Sequence, residues 1–166
     1  MTAQFTETLR YRGVDVAMCT EPLGDYFLLG GFMPSFDCDC SALWRGYVGH
    51  WEIVEDRLYL IGLAGSLADG TDVTLATVFP DFPDRVFAHW YSGTIRLPQG
   101  KQLEYVHAGF GSIYQWDLFL DIDRGVVVAT RLRQNGPSAS AGDNEDGDTN
   151  QSTGELRTGE SNRGTS

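Results

Sequence analysis

The sequence predicts a mostly β protein: a single antiparallel, curved sheet that closes into a barrel or a sandwich, with at most one or two short helices. Three observations point there. Nine or so short runs of apolar and β-branched residues follow one another closely, with turn signals between them. The central pair of runs, Tyr47 to Val54 and Arg57 to Ala64, is joined by Glu55-Asp56 alone. Gly46, Gly49 and Gly62 interrupt that pair, and glycine inside a strand marks a bulge, a bend or a close backbone approach.

Taken in order, Thr8 to Tyr11 and Val14 to Ala17 read as a hairpin around Arg12-Gly13. Asp25 to Leu29 reads as one helical turn on a sheet edge, and MPSFDCDCSALW has loop composition. In the central hairpin Tyr47, Trp51 and Ile53 share one parity and suit a core face. The returning run is apolar on both parities, which predicts a strand covered on both faces. Thr71 to Phe79 is assigned to a strand on its β-branched residues, against a competing helical spacing of Leu75-Ala76 and Val78-Phe79. Prolines 80 and 83 demand a loop. Val86 to Tyr91 and Thr94 to Leu97 read as strands, Pro98-Gln99-Gly100 as a type I turn, and Gln102 to His107 as the returning strand. AGFGS (108–112) is a tight glycine-rich bend. Tyr114, Trp116, Leu118, Leu120 and Ile122 alternate with Gln115, Asp117 and Asp121, predicting the first set in and the second out. Asp123-Arg124-Gly125 turns the chain into a last strand, Val126 to Leu132.

Composition divides the chain into a β-rich domain, residues 1–133, and an acidic low-complexity tail, residues 134–166. The tail is nearly devoid of apolar residues, so burial there cannot offset chain entropy and disorder is expected. The net charge is -11, and the tail carries six acidic and two basic side chains of it. Nucleic-acid binding needs a basic footprint, and none is visible. No apolar run approaches a membrane span, and the start MTAQFTETLR lacks the basic and apolar regions of a signal peptide. A cytoplasmic location with Cys19, Cys38 and Cys40 reduced is the expectation. An acidic balance also steers basic protein partners.

The strings WRGY (44–47), WYSGTIRLPQG (90–100) and YVHAGFGS (105–112) resemble a family of small uncharacterised bacterial proteins with WRGY, W-x-SG-x-x-R-x-P-x-G and YVH-x-GYGS strings. The resemblance covers roughly residues 8–130 and implies one folded unit without the tail. It brings no catalytic residue with it.

Candidate sites are sparse. His50, His89 and His107 each sit in a strand-like run, and they meet only if those strands are neighbours. Imidazole suits transition metals, but neither H-x-H nor H-E-x-x-H spacing occurs, so no metal and no cofactor is expected. Cys38-x-Cys40 lacks a second cysteine pair. The 109–112 loop lacks the trailing Gly-Lys-Ser/Thr of a phosphate loop, and no G-x-S-x-G elbow occurs. Arg45, Trp90 and Tyr91, with the histidines, are the candidates for contacting a ligand or partner, because aromatics and arginine dominate such faces. The function expected is therefore non-enzymatic: an acidic protein that recognises another macromolecule, in the manner of an immunity or inhibitor protein. The alternative is a small-ligand-binding barrel, or an enzyme built on one, with the histidines lining its cavity.

Overall fold

The computed structural model describes residues 3–38 and 41–136. They form one large sheet and two short helices, in the order β1 (Glu7–Tyr11), β2 (Val14–Met18), α1 (Pro22–Leu28), β3 (Tyr47–Val54), β4 (Arg57–Gly65), α2 (Leu75–Val78), β5 (Val86–Phe87), β6 (Gly93–Glu104), β7 (Ile113–Asp123) and β8 (Val126–Gln134). Strands run β2-β1-β3-β4-β8-β7-β6 across the sheet, with β5 also on β4. All pairings are antiparallel except β1 with β3. Three hairpins share one device: both link residues have positive φ, at Arg12-Gly13, Glu55-Asp56 and Arg124-Gly125. That geometry matches the right-handed twist of the strands that it joins.

The sheet is not closed, which corrects the barrel expectation. The strand order ends at β2 and β6, which are not paired with each other. The contact between β4 and β8 is also slight: Arg57 pairs with Val126, and from there the antiparallel strands run apart, while Tyr59 and Leu60 pair with Phe87 and Val86 of β5. At the opposite ends, the chain just after β2 is bonded to β6: the Cys19 N–H donates to the Arg96 carbonyl (2.9 Å) and the Arg96 N–H to Thr20 Oγ1 (3.1 Å).

Four local expectations also change. Residues 75–78 are helical: Leu75, Val78 and Phe79 are buried on one helical face, and the Thr74 N–H donates to Thr77 Oγ1 at the helix start. Spacing outweighs β-branching there. The strand expected over 86–91 shrinks to two residues, because Trp90 and Tyr91 turn inward to pack. Pro98 lies inside β6, and the expected turn is a bulge between Gln99 and Gln102 with Gly100 at φ 78°. Proline is tolerated because β6 ends the sheet, so no further strand requires an N–H at position 98. Finally, β4 is apolar on both parities because a bulge resets it: Trp51 faces Leu60, but His50 faces Gly62, so Ile61 is extra. Leu58 and Leu60 are buried before the bulge and Leu63 after it.

The core gathers Leu9, Met18, Leu23, Trp51, Ile95, Leu97 and Leu120, all essentially without solvent contact. Trp116 departs from expectation at 37% exposure, and Asp117, expected outside, is fully buried. Among the described residues no helix is long and apolar enough to cross a membrane. Residues 137–166, and with them nearly all of the expected tail, lie outside the described residues, as does Cys40.

Candidate functional site

The string Trp44-Arg45-Gly46-Tyr47 turns a loop into β3. Gly46 has φ 77°, and a Cβ there would meet the Asp37 carbonyl oxygen at 2.7 Å. The left-handed glycine lets consecutive side chains diverge. Trp44 stays 61% exposed, whereas Arg45 is buried at 6%. Arg45 reaches Glu7 on β1 (Nε to Oε1, 3.6 Å), Glu21 before α1 (Nη1 to Oε1, 2.9 Å) and the Phe5 carbonyl (from Nη2, 3.0 Å).

Glu7 shares the core-facing parity of Leu9 and has no solvent exposure. Its Oε2 accepts from the Trp51 indole N–H. Gly49 makes that bond fit, since a Cβ there would lie 2.6 Å from Trp51 Nε1 and 2.7 Å from Glu7 Oε2. Burial pushes the Glu7 carboxyl up to about 7, although Arg45 and the Trp51 bond pull it down. Tyr47, close to the same charges, is raised well above the usual phenol range, mainly by burial.

Above this cluster opens a cleft of about 500 Å³, lined among others by Glu21, Asp25, Leu28, Met33, Trp44 and Arg45. Leu28, Met33 and Trp44 are 86%, 58% and 61% exposed. The same stretch of chain also exposes Leu29 and Phe32. The recess thus combines a rim of large apolar side chains, acidic groups, and a buried arginine already engaged by two carboxylates.

The residues singled out in the sequence fall in different places. Arg45 belongs to the cleft. Trp90 donates its indole N–H to the Pro22 carbonyl (2.9 Å) and stacks on Phe79, so it fastens α1 to the sheet. Tyr91 is buried, its hydroxyl facing the Thr94 carbonyl at 3.4 Å. His50 lies on β3 in a separate groove with Thr8, Arg10 and Asp15. His89 is in the loop after β5, with Nδ1 3.2 Å from the Phe87 carbonyl oxygen. His107 is exposed in the loop after β6, edge-on to Tyr105. Among the described residues no three His, Cys, Asp or Glu side chains are grouped to hold a metal ion. Trp44 is one of the aromatics that the sequence offers for a pocket or partner face, whereas Glu7, Glu21, Leu28 and Met33 went unmarked as site residues. A legible signal existed for Glu7 alone: a charge on the parity of Leu9.

A second polar cluster organises the 106–112 loop. Arg96 donates from Nη1 to the Phe110 carbonyl (2.7 Å), from Nη2 to the Ser112 carbonyl (2.9 Å) and from Nε to Asp117 (2.9 Å). Asp117 also accepts from Arg133 and Asn135. Burial alone would raise its carboxyl, but these bonds outweigh it and hold it below the usual value. Each functional nitrogen of Arg96 is occupied, so this cluster clamps a loop.

Compared with protein-family models, with curated proteins and with solved structures, the chain matches none.

Proposed function

We propose that this chain is a non-enzymatic binding protein that recognises a basic protein partner through the cleft beside α1. The observation that carries the reading is the gathering of exposed Leu28, Met33 and Trp44 with Glu21 and Asp25 around one recess. Large apolar side chains are costly to leave in water unless something covers them, and tryptophan and methionine are enriched where partners bind. The overall charge of -11 draws a cationic partner in and sets the salt dependence of its association rate. A lysine or arginine side chain entering the recess meets carboxylates on its walls and aromatic faces beside it. Inhibition of a basic toxin, as by an immunity protein, is the concrete form of this activity.

A photo-crosslinking residue placed at Trp44 in the full chain tests it, with Val14 on the β2 edge as the control position. A basic protein captured at position 44 but not at 14, less efficiently as salt rises, supports the reading. Capture that is equal at both positions, or that is insensitive to Leu28→Asp, ends it.

A further inference from the structure

Resting on the reading of the cleft beside α1 as a partner site, we infer that binding there is exchanged for a proton: a cationic group that arrives beside Glu21 releases the proton of Glu7 to solvent, with Arg45 as the intermediary. Three charged side chains from separate segments make the coupling. Glu7 on β1 lies wholly inside the protein, and Glu21 before α1 is partly exposed on the cleft wall. Arg45 stands between them, 3.6 Å from the first and 2.9 Å from the second. The guanidinium is divided rather than committed. Its Nη2 donates to the Phe5 carbonyl. Nε and Nη1, like Glu7 Oε1, are within ion-pair distance of their partners but are buried without an aligned hydrogen bond. Two carboxylates therefore share one buried cation through charge, and a change of charge on either is felt by the other.

Counting charge gives the sign. With Glu7 protonated, Arg45 and Glu21 form a balanced pair, and a cation entering the recess meets no surplus beneath it. With Glu7 ionised, the cluster carries one negative charge in excess, sealed from water, and a cation at Glu21 neutralises it. Burial makes that excess charge costly. Ionisation of Glu7 and occupancy by a cation therefore favour one another, and linkage makes the effect reciprocal. The Glu7 carboxyl, raised to about 7 by burial against the pull of Arg45 and Trp51, puts the exchange close to neutral pH. The other groups facing it do not compete. Trp51 donates its indole N–H, and Tyr47 stays a neutral phenol because burial and the same carboxylates raise it well above the usual range. The further charge nearby, Asp25 on α1, belongs to the cleft wall with Glu21. Met18, opposite Glu7 on β2, and Leu63, opposite Gly49 on β4, bring none.

The Trp51 indole N–H, bonded to Glu7 Oε2, reports the titration by NMR, and exposed Trp44 reports occupancy of the cleft. The probe is a capped hexa-arginine peptide added to the full chain. It is expected to shift the Trp44 resonance and to lower the Trp51 titration midpoint by about 0.7 pH unit or more, the equivalent of a coupling of about fivefold. The dissociation constant is expected to fall by at least that factor between pH 5.5 and pH 8.5. Glu7→Gln, a permanent mimic of the protonated acid, is expected to bind as the parent does at pH 5.5. It should keep only the pH dependence due to the three histidines, which titrate in both chains. A Trp44 response with an unmoved Trp51 midpoint overturns the exchange and leaves the cleft as a partner site. So does a Glu7→Gln variant whose affinity follows pH as the parent's does. No Trp44 response to the peptide overturns the exchange together with the reading of the cleft on which it rests.

Discussion

A carboxyl group sealed from water must lose its charge or be compensated, and Glu7 stands between the two. Its carboxyl titrates at about 7, so protonation and the embrace of Arg45 compete near neutrality. Because the folded value lies above the ordinary 4.5, the protonated form is the better tenant of the folded state. Its contribution is complete below 4.5 and is lost as the pH climbs through 7. Glu7→Gln keeps an acceptor for Trp51 and removes the titration. The variant is expected to match the parent at pH 5 and to exceed it at pH 8 by roughly 2–3 kcal/mol in urea unfolding. An unchanged alkaline decline in the variant would contradict this account. Gly49→Ala probes the same spot sterically. The added methyl falls between Glu7 and Trp51, and overpacking of that kind destabilises by about 1–3 kcal/mol. A melting temperature equal to the parent's would show that the pocket has room. Only the parity of Glu7 hinted at this cluster in the sequence; its partners Arg45 and Trp51 are 38 and 44 residues away, and such pairing is invisible without the fold.

At the scale of the elements, β8 and the residues that follow it form a unit with β7. Asn135 donates to the Tyr114 carbonyl (3.0 Å) and to Asp117 (2.7 Å), and its own N–H reaches the Gln115 carbonyl (2.9 Å). Ordered hydrogen bonding to β7 therefore continues past Arg133 to Asn135. Truncation after Gly136 is expected to leave the melting temperature unchanged. Truncation after Arg133 is expected to lower stability by about 1–3 kcal/mol through the lost bonds, and equal behaviour of the two truncations would refute the distinction. Asp117→Ala strips Arg96 and Arg133 of their shared anion, and breaking a buried pair costs on the order of 3 kcal/mol. Amide exchange in 106–112 should accelerate, because Arg96 holds the Phe110 and Ser112 carbonyls from β6; an unaltered exchange pattern would place the clamp elsewhere. Hairpins were legible here because their turns are local. The β4 bulge and the proline inside β6 were not, since both depend on which strand lies alongside.

For the whole molecule the titrating groups set opposed slopes. Asp117 and Asp121 are held below the ordinary 3.8, chiefly by hydrogen bonds from arginines and neighbours acting against burial. Their stabilisation is present above that value and is lost as the pH falls through it. Glu7 runs the other way, so the stability maximum is expected on the acid side of neutrality, and thermal unfolding scanned from pH 3 to 9 should find it there. A maximum at pH 8 or above would mean that Glu7 is compensated far better than its burial implies.

The two-residue rhythm of apolar side chains was enough to determine a β-rich domain, its hairpins and most of its core, because alternation and turn chemistry act within a few residues. Tertiary structure alone decided that β5 pairs with β4 and that the sheet stays open between β2 and β6. It likewise decided that a helix replaces the strand expected over 71–79 and that Glu7, Glu21 and Arg45 meet beneath exposed Leu28, Met33 and Trp44. Those outcomes rest on competition for hydrogen-bonding edges and buried volume between segments distant in the chain, and no local pattern records which competitor wins.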